Sequence, residues 1–183
     1  MAFDRTGNLL GALALVLSDR MTEALGSEMG KSPSAAAALS WLHHFHQQPT
    51  VDLLRRVLGL TSSGTVRLLD GLVAEGYVER GAGSDGRATL ISLTPAGSAA
   101  AVQLAAARGK VLEQALGPLS SAERRSLEKL TSKLLIGLMR GPGAIRWMCR
   151  LCDTGVCWAG PGCPVTNTVR RRRAPAPELI SGT

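Results

Sequence analysis

Aromatic residues are scarce: three Trp, two Phe and one Tyr make up 3% of 183 residues. A core must therefore be assembled from Leu, Ala and Val, and Ala and Leu are the strongest helix formers. Long apolar runs are missing too. None reaches the roughly 18–20 residues needed to span a bilayer; LLGALALVLS is too short and is flanked by Asp4, Arg5, Asp19 and Arg20. That segment also lacks a basic leader and a following small-residue cleavage site, so it does not read as a secretory signal. The expectation is a cytoplasmic protein with no membrane partner. No glycine-rich nucleotide-binding pattern, Ser/His/Asp set or carboxylate pair stands out, which argues against an enzyme. Cysteine is absent everywhere except between Cys149 and Cys163.

What is present is helical periodicity and positive charge. The formal net charge is +7, four of it in Arg170–Arg173, so the remainder is mildly basic. Such a balance suits a polyanionic partner without specifying one. In residues 4–28, Leu10, Leu13, Leu17, Met21 and Ala24 recur at three- and four-residue steps, the mark of one helical face. Ser32-Pro33 opens a second, Ala-rich helix, a cap followed by proline. Residues 1–48 thus read as scaffold and dimerisation helices. Thr50 and Thr61 cap two short helices with Gly59 between them, a helix-turn-helix. Tyr77–Arg80 and Arg87–Leu93 read as strands around a glycine-rich tip, so 49–94 forms a winged helix-turn-helix. Thr94-Pro95 starts a fifth helix, and Ser120 with Glu123 forms a capping box for a sixth bearing Leu127, Leu130, Leu134 and Leu138. Residues 95–141 are expected to complete the dimerisation domain. The expected fold class is mainly α with a small β-wing. Residues 144–167 hold the cysteines, and 168–183 read as a disordered basic tail.

The segment LGLTSSGTVRLLDGLVAEGYVERGAGSDGRATLISLTPAG (58–97) resembles the winged helix-turn-helix of MarR-family transcriptional regulators. The likeness rests on the recognition helix, on Asp85 and Arg87 at the wing tip, and on the Leu-Thr-Pro-x-Gly strand exit at Leu93–Gly97; with the flanking helices it covers about residues 4–140. The resemblance implies a two-fold dimer on double-stranded DNA at a pseudo-palindromic operator. A recognition helix enters the major groove, about 12 Å wide, with its N-terminal residues at the base edges. Here these are Ser62, Ser63 and Thr65, with Arg67 one turn on. Arg87 would enter the minor groove, where the potential favours a guanidinium, and Asp85 would orient it. Arg55 and Arg56 are phosphate candidates. Gly64 and Gly71, inside the recognition helix, each cost about 1 kcal/mol against Ala, which predicts modest intrinsic affinity.

The cysteines follow the pattern C-x2-C-x4-C-x5-C over Cys149, Cys152, Cys157 and Cys163. Clustered thiols in a reducing compartment serve metal or redox chemistry more often than structural disulfides. Gly155, Gly160 and Gly162 permit the turns needed for convergence. One reading is an iron–sulfur cluster, because residues 149–164 resemble the [2Fe–2S] motif of SoxR-like sensors, including the final Cys163-Pro164; the middle gap is four residues here and one in that motif. Zinc is the alternative, although only the first pair has the Cys-x2-Cys knuckle form. A thiol–disulfide switch is the third reading. Arg140, Arg146 and Arg150 are expected to offset a cluster's negative charge, and Trp147, Met148 and Trp158 to shield it. His43, His44 and His46 point in different directions on a helix and are expected to pack rather than bind metal. The function expected is a dimeric, sequence-specific DNA-binding regulator whose affinity is set by a redox-responsive cluster. The alternative is a repressor with structural zinc that answers to a small aromatic ligand.

Overall fold

A computed structural model of the chain describes residues 4–30, 32–45, 48–83, 88–141, 144–159 and 162–173. Its helices begin where short hydroxylated side chains can accept from free backbone N–H groups. Ser32 accepts from Ala35 N to start α2 (Pro33–His44), and Thr50 from Leu53 N to start α3 (Val51–Leu58). Thr61 accepts from Gly64 N at α4 (Ser62–Ala74), and Thr94 from Gly97 N at α5 (Pro95–Leu116). At α6 (Ser121–Gly137), Ser120 N donates to the Glu123 carboxylate at 2.8 Å and Ser120 Oγ accepts from Glu123 N at 3.4 Å. The long α1 (Arg5–Met29) is capped by Asp4. Gly59, at φ 66°, ends α3 in the left-handed conformation that glycine enters without steric cost, making the turn into α4.

The wing is an antiparallel pair, β1 (Val78–Ala82) and β2 (Thr89–Leu93), registered Val78 to Leu93 and Arg80 to Ile91. Thr50 adds a bridge to Leu90, and Ile91 N donates to the Pro49 carbonyl at 3.0 Å. This ties the entry of α3 to the wing. An exposed Arg80–Asp70 ion pair at 2.7 Å joins β1 to α4.

Helix α2 lies at the centre. Every residue from Ala35 to Leu42 is buried, as expected of a helix without a solvent face. Around it pack Leu25, Leu54, Val57, Leu69, Leu72, Val78, Ile91, Ala101 and Leu104 from the other elements. Gly97 on α5 sits against the wing entry, where an added Cβ would lie 2.0 Å from the Tyr77 carbonyl oxygen. By contrast, Leu9, Leu10, Leu13 and Val16 on α1 and Leu127, Leu130, Leu134 and Leu138 on α6 are exposed within the single chain. The periodic face of α1 is therefore split: Leu17, Met21 and Ala24 are half-buried and its first half stands clear of the core. No helix among the described residues is long and apolar enough to cross a membrane.

The segment after α6 departs from the sequence reading. It folds into α7 (Ala144–Met148), α8 (Thr154–Trp158) and α9 (Pro164–Arg173). The disordered tail expected from residue 168 is corrected as far as Arg173. Pro164 is preset for a first helical turn, Val165 is buried beneath the helix, and Thr168 Oγ1 donates to the Pro164 carbonyl at 2.8 Å. Residues 174–183 lie outside the described residues.

Gly97→Ala should destabilise the protein by about 1–3 kcal/mol through overpacking. Gly71→Ala, which meets nothing within 4 Å, should stabilise it by about 1 kcal/mol. Urea unfolding of both variants checks the pair.

Candidate nucleic-acid interface and thiol centre

Ser62 and Ser63 stand exposed at the first turn of α4, with Ser63 Oγ 3.4 Å from the capping Thr61 Oγ1. Arg67 is exposed one turn further on. Thr65 is not part of this surface. It is fully buried, and its hydroxyl donates to the Thr61 carbonyl at 2.9 Å. The expectation that it faces a base edge is corrected: it is buried, and its hydroxyl is satisfied within the helix. Arg55 and Arg56 share Asp52, at 2.9 Å and 2.8 Å. Bonding from Arg55 in the first place, and the charge of Arg56, hold the Asp52 carboxyl below its ordinary range. Exposed pairs of this kind contribute little and open readily to a competing phosphate. Asp85 and Arg87 lie outside the described residues.

The four cysteines converge although their spacing is irregular. Cys149 follows α7, Cys152 precedes the Asp153 cap of α8, Cys157 lies on α8, and Cys163 precedes α9. All four are free thiols. They line a cavity of about 10 Å³ with Phe45, Thr154, Trp158 and Thr166. Leu135 on α6, Met139 just after it, and Met148 pack against them. Phe45 touches both this cluster and the main core, and stacks on the buried Trp41 at 6.4 Å. Thr154 Oγ1 donates to the His44 carbonyl at 3.4 Å, a second tie to the end of α2.

The thiols are electrostatically unequal. Cys149 donates a hydrogen bond to Cys152, and with Arg108 nearby this holds Cys152 at about 6, below the ordinary thiol range. Cys149 is pushed up as the donor of that pair, and Cys157 is pushed up mainly by burial. The cation facing the thiols is thus Arg108 of α5. Arg140 and Arg146, expected there, line a separate cavity with Arg56 and Trp147, and Arg150 donates to the Trp147 carbonyl at 2.6 Å. Trp158 and Met148 do flank the thiols.

As donors, four thiols suit a thiophilic centre, and thiolate is the ligating form. Thr166 Oγ1 is buried at the same cavity with no hydrogen-bond partner among the described residues, a hydroxyl available to a bound sulfur. The thiols pack against one another, and among the described residues no group of three His, Cys, Asp or Glu already stands in a metal-holding arrangement. His43 is exposed and stands edge-on to His44, with ring centres 4.9 Å apart, and His46 lies outside the described residues. His43 also borders a cavity of about 430 Å³ with Leu42, Gln48, Glu79, Ser92, Leu93 and Ser98.

A family model described as MarR family matches residues 30–88. Among solved structures, a probable transcriptional regulator from Pseudomonas aeruginosa is 28% identical at a TM-score of 0.55, covering 71% of this chain and 99% of its own. The reduced form of MarR from E. coli is 27% identical at 0.59, covering 69% and 96%. MepR, a transcription regulator of the Staphylococcus aureus multidrug efflux pump MepA, shares the fold at a TM-score of 0.64 and 17% identity, covering 75% and 100%. No curated protein matches the chain. The fold is the winged-helix fold of these MarR-like transcription regulators.

Thr65→Ala should lower the unfolding free energy by about 1–2 kcal/mol. Ser63→Ala and Arg67→Gln should leave stability within about 0.5 kcal/mol and act on duplex affinity alone. Denaturant unfolding beside duplex titration separates them; equal losses of stability in all three would show that the exposed face is misassigned.

Proposed function

We propose that this winged-helix protein is a homodimeric, sequence-specific DNA-binding regulator whose affinity is set by an iron–sulfur cluster, of the [2Fe–2S] type, on Cys149, Cys152, Cys157 and Cys163. The observation that carries the reading is the position of the thiol segment. Its α7 packs on α3 of the helix-turn-helix and its α9 packs on α6. A change of side-chain packing around the thiols therefore bears on both the DNA-reading head and an apolar helix at once.

In this reading Ser62, Ser63 and Arg67 face the major groove, and Arg55 and Arg56 release Asp52 to meet phosphates. The exposed leucines of α1 and α6 cover each other between two copies, because an isolated face of that size is unstable in water. The resulting two-fold axis sets half-sites about one helical turn apart. The expected compartment is the cytoplasm, where thiols stay reduced. When bound, the cluster supplies one-electron redox chemistry. The four thiolates would hold it, Arg108 would offset their charge, and the Thr166 hydroxyl would be free to donate to its sulfur. Trp158 limits the access of water. Phe45 and the end of α6 bear the packing change outward to α2 and to the dimer face.

Iron and sulfide analysis of oxygen-free protein is the first test. Duplex affinity is then compared with the centre oxidised, reduced and removed, on an operator selected from a random pool. The expected result is at least a tenfold difference, about 1.4 kcal/mol, between two of the states; equal affinities would discard the sensing role. Cys152→Ser should lose iron while keeping the fold, and its duplex affinity should match that of the wild type with the centre removed. Thr166→Val should lower the midpoint potential, since hydrogen bonds to sulfur favour the reduced form, and Thr166→Ser should preserve it.

A further inference from the structure

Three arginines that are far apart in sequence meet at one cavity. Arg56 comes from α3, Arg140 from the turn after α6, and Arg146 from α7. With Leu53, Val57 and Trp147 they line a space of about 320 Å³. Arg56 has Asp52 at 2.8 Å. Arg140 and Arg146 are exposed and make no ion pair among the described residues. Trp147 is 37% exposed, and its carbonyl accepts from Arg150 at 2.6 Å, which steadies the end of α7. Guanidinium groups repel when they converge, so a surface that gathers three of them is matched to an anion. Their planar forks fit phosphate oxygens in bidentate fashion, and an indole beside them adds a face on which a guanidinium can rest.

We infer that Arg140 and Arg146, with Arg56 and beside Trp147, form a second phosphate-binding site that grips the DNA backbone next to the stretch read by α4. This rests on the DNA-binding reading above. Duplex backbone is the occupant because the cavity wall is α3, the helix that precedes and packs on the recognition helix, and because α3 already presents Arg55 and Arg56. The thiol segment thereby contributes to the interface directly: α7 carries the phosphate-binding Arg146 and leads into Cys149.

The test uses the full-length protein and a random-sequence duplex of about 30 base pairs, roughly three helical turns. Affinity is measured over a range of salt for the wild type, for Arg140→Gln with Arg146→Gln, and for a charge-matched control, Arg125→Gln with Lys129→Gln on α6. Each lost phosphate contact reduces the slope of log affinity against log salt by about 0.9, so the double variant should lose roughly 2 per engaged subunit. The control should keep the wild-type slope, and unchanged helical circular dichroism in all three confirms folding. A wild-type slope in Arg140→Gln/Arg146→Gln, or an equal fall in the control, overturns the inference while leaving DNA binding standing. A wild type that binds no duplex takes down the underlying reading as well. Inorganic phosphate supplies the remaining arm. If it changes tryptophan emission in the wild type but not in Trp147→Phe, and displaces no duplex, the cavity is a small-anion site and the inference fails.

Discussion

The complete burial of α2 is the constraint on which the molecule depends. Eight consecutive residues, Ala35–Leu42, have no solvent-facing side, so every neighbour must close against them. The four alanines at its start allow close approach by α1 and α5, while Leu39, Trp41 and Leu42 fill the space beneath the helix-turn-helix and the wing. With so few aromatics in the chain, Trp41 takes on a large share of this core. Its stack on Phe45 carries the packing past the end of the helix to the thiols. The helix-turn-helix and the cysteine segment thus both rest on the C-terminal half of one buried element.

That arrangement gives the last third of the chain two mechanical connections. Leu135 on α6 and Met139 just after it reach the thiol cluster, and α7 rests on α3. The thiols themselves form a tight, unequal set in which Cys149 donates to Cys152 and a cation from α5 faces the more acidic thiol. In the proposed mechanism, any group that makes these side chains turn apart must displace Phe45, α6 or both, because close-packed interiors transmit displacement rather than absorb it. The arginines gathered at Arg56 lie on the other side of the same segment, so packing around sulfur and contact with phosphate would respond together.

Local physics was legible from the residues alone. Ser32, Thr50, Thr61, Thr94 and Ser120 each cap the helix they precede, because capping needs only a short hydroxylated side chain and the next turn of backbone. The order of helices and wing followed from periodicity and turns in the same way. The end of α9 was missed because Arg170–Arg173 has no apolar period; its helix is anchored upstream by Pro164 and Val165.

Distance in sequence marks where that legibility ended. The motif alone brought the four cysteines together as an expectation, since loops of two, four and five residues leave few alternatives. Which cation would face them could not be read: Arg140, Arg146 and Arg150 are near in the chain, yet the guanidinium that lowers Cys152 is Arg108, from α5. Thr65 and Ser63 are alike as letters, and only the packing of α4 on the core decides that one is buried and the other exposed. The residues therefore determined the caps, the helical order and the thiol set by short-range bonding, whereas tertiary packing decided which polar groups meet, because those meetings depend on how whole helices cross.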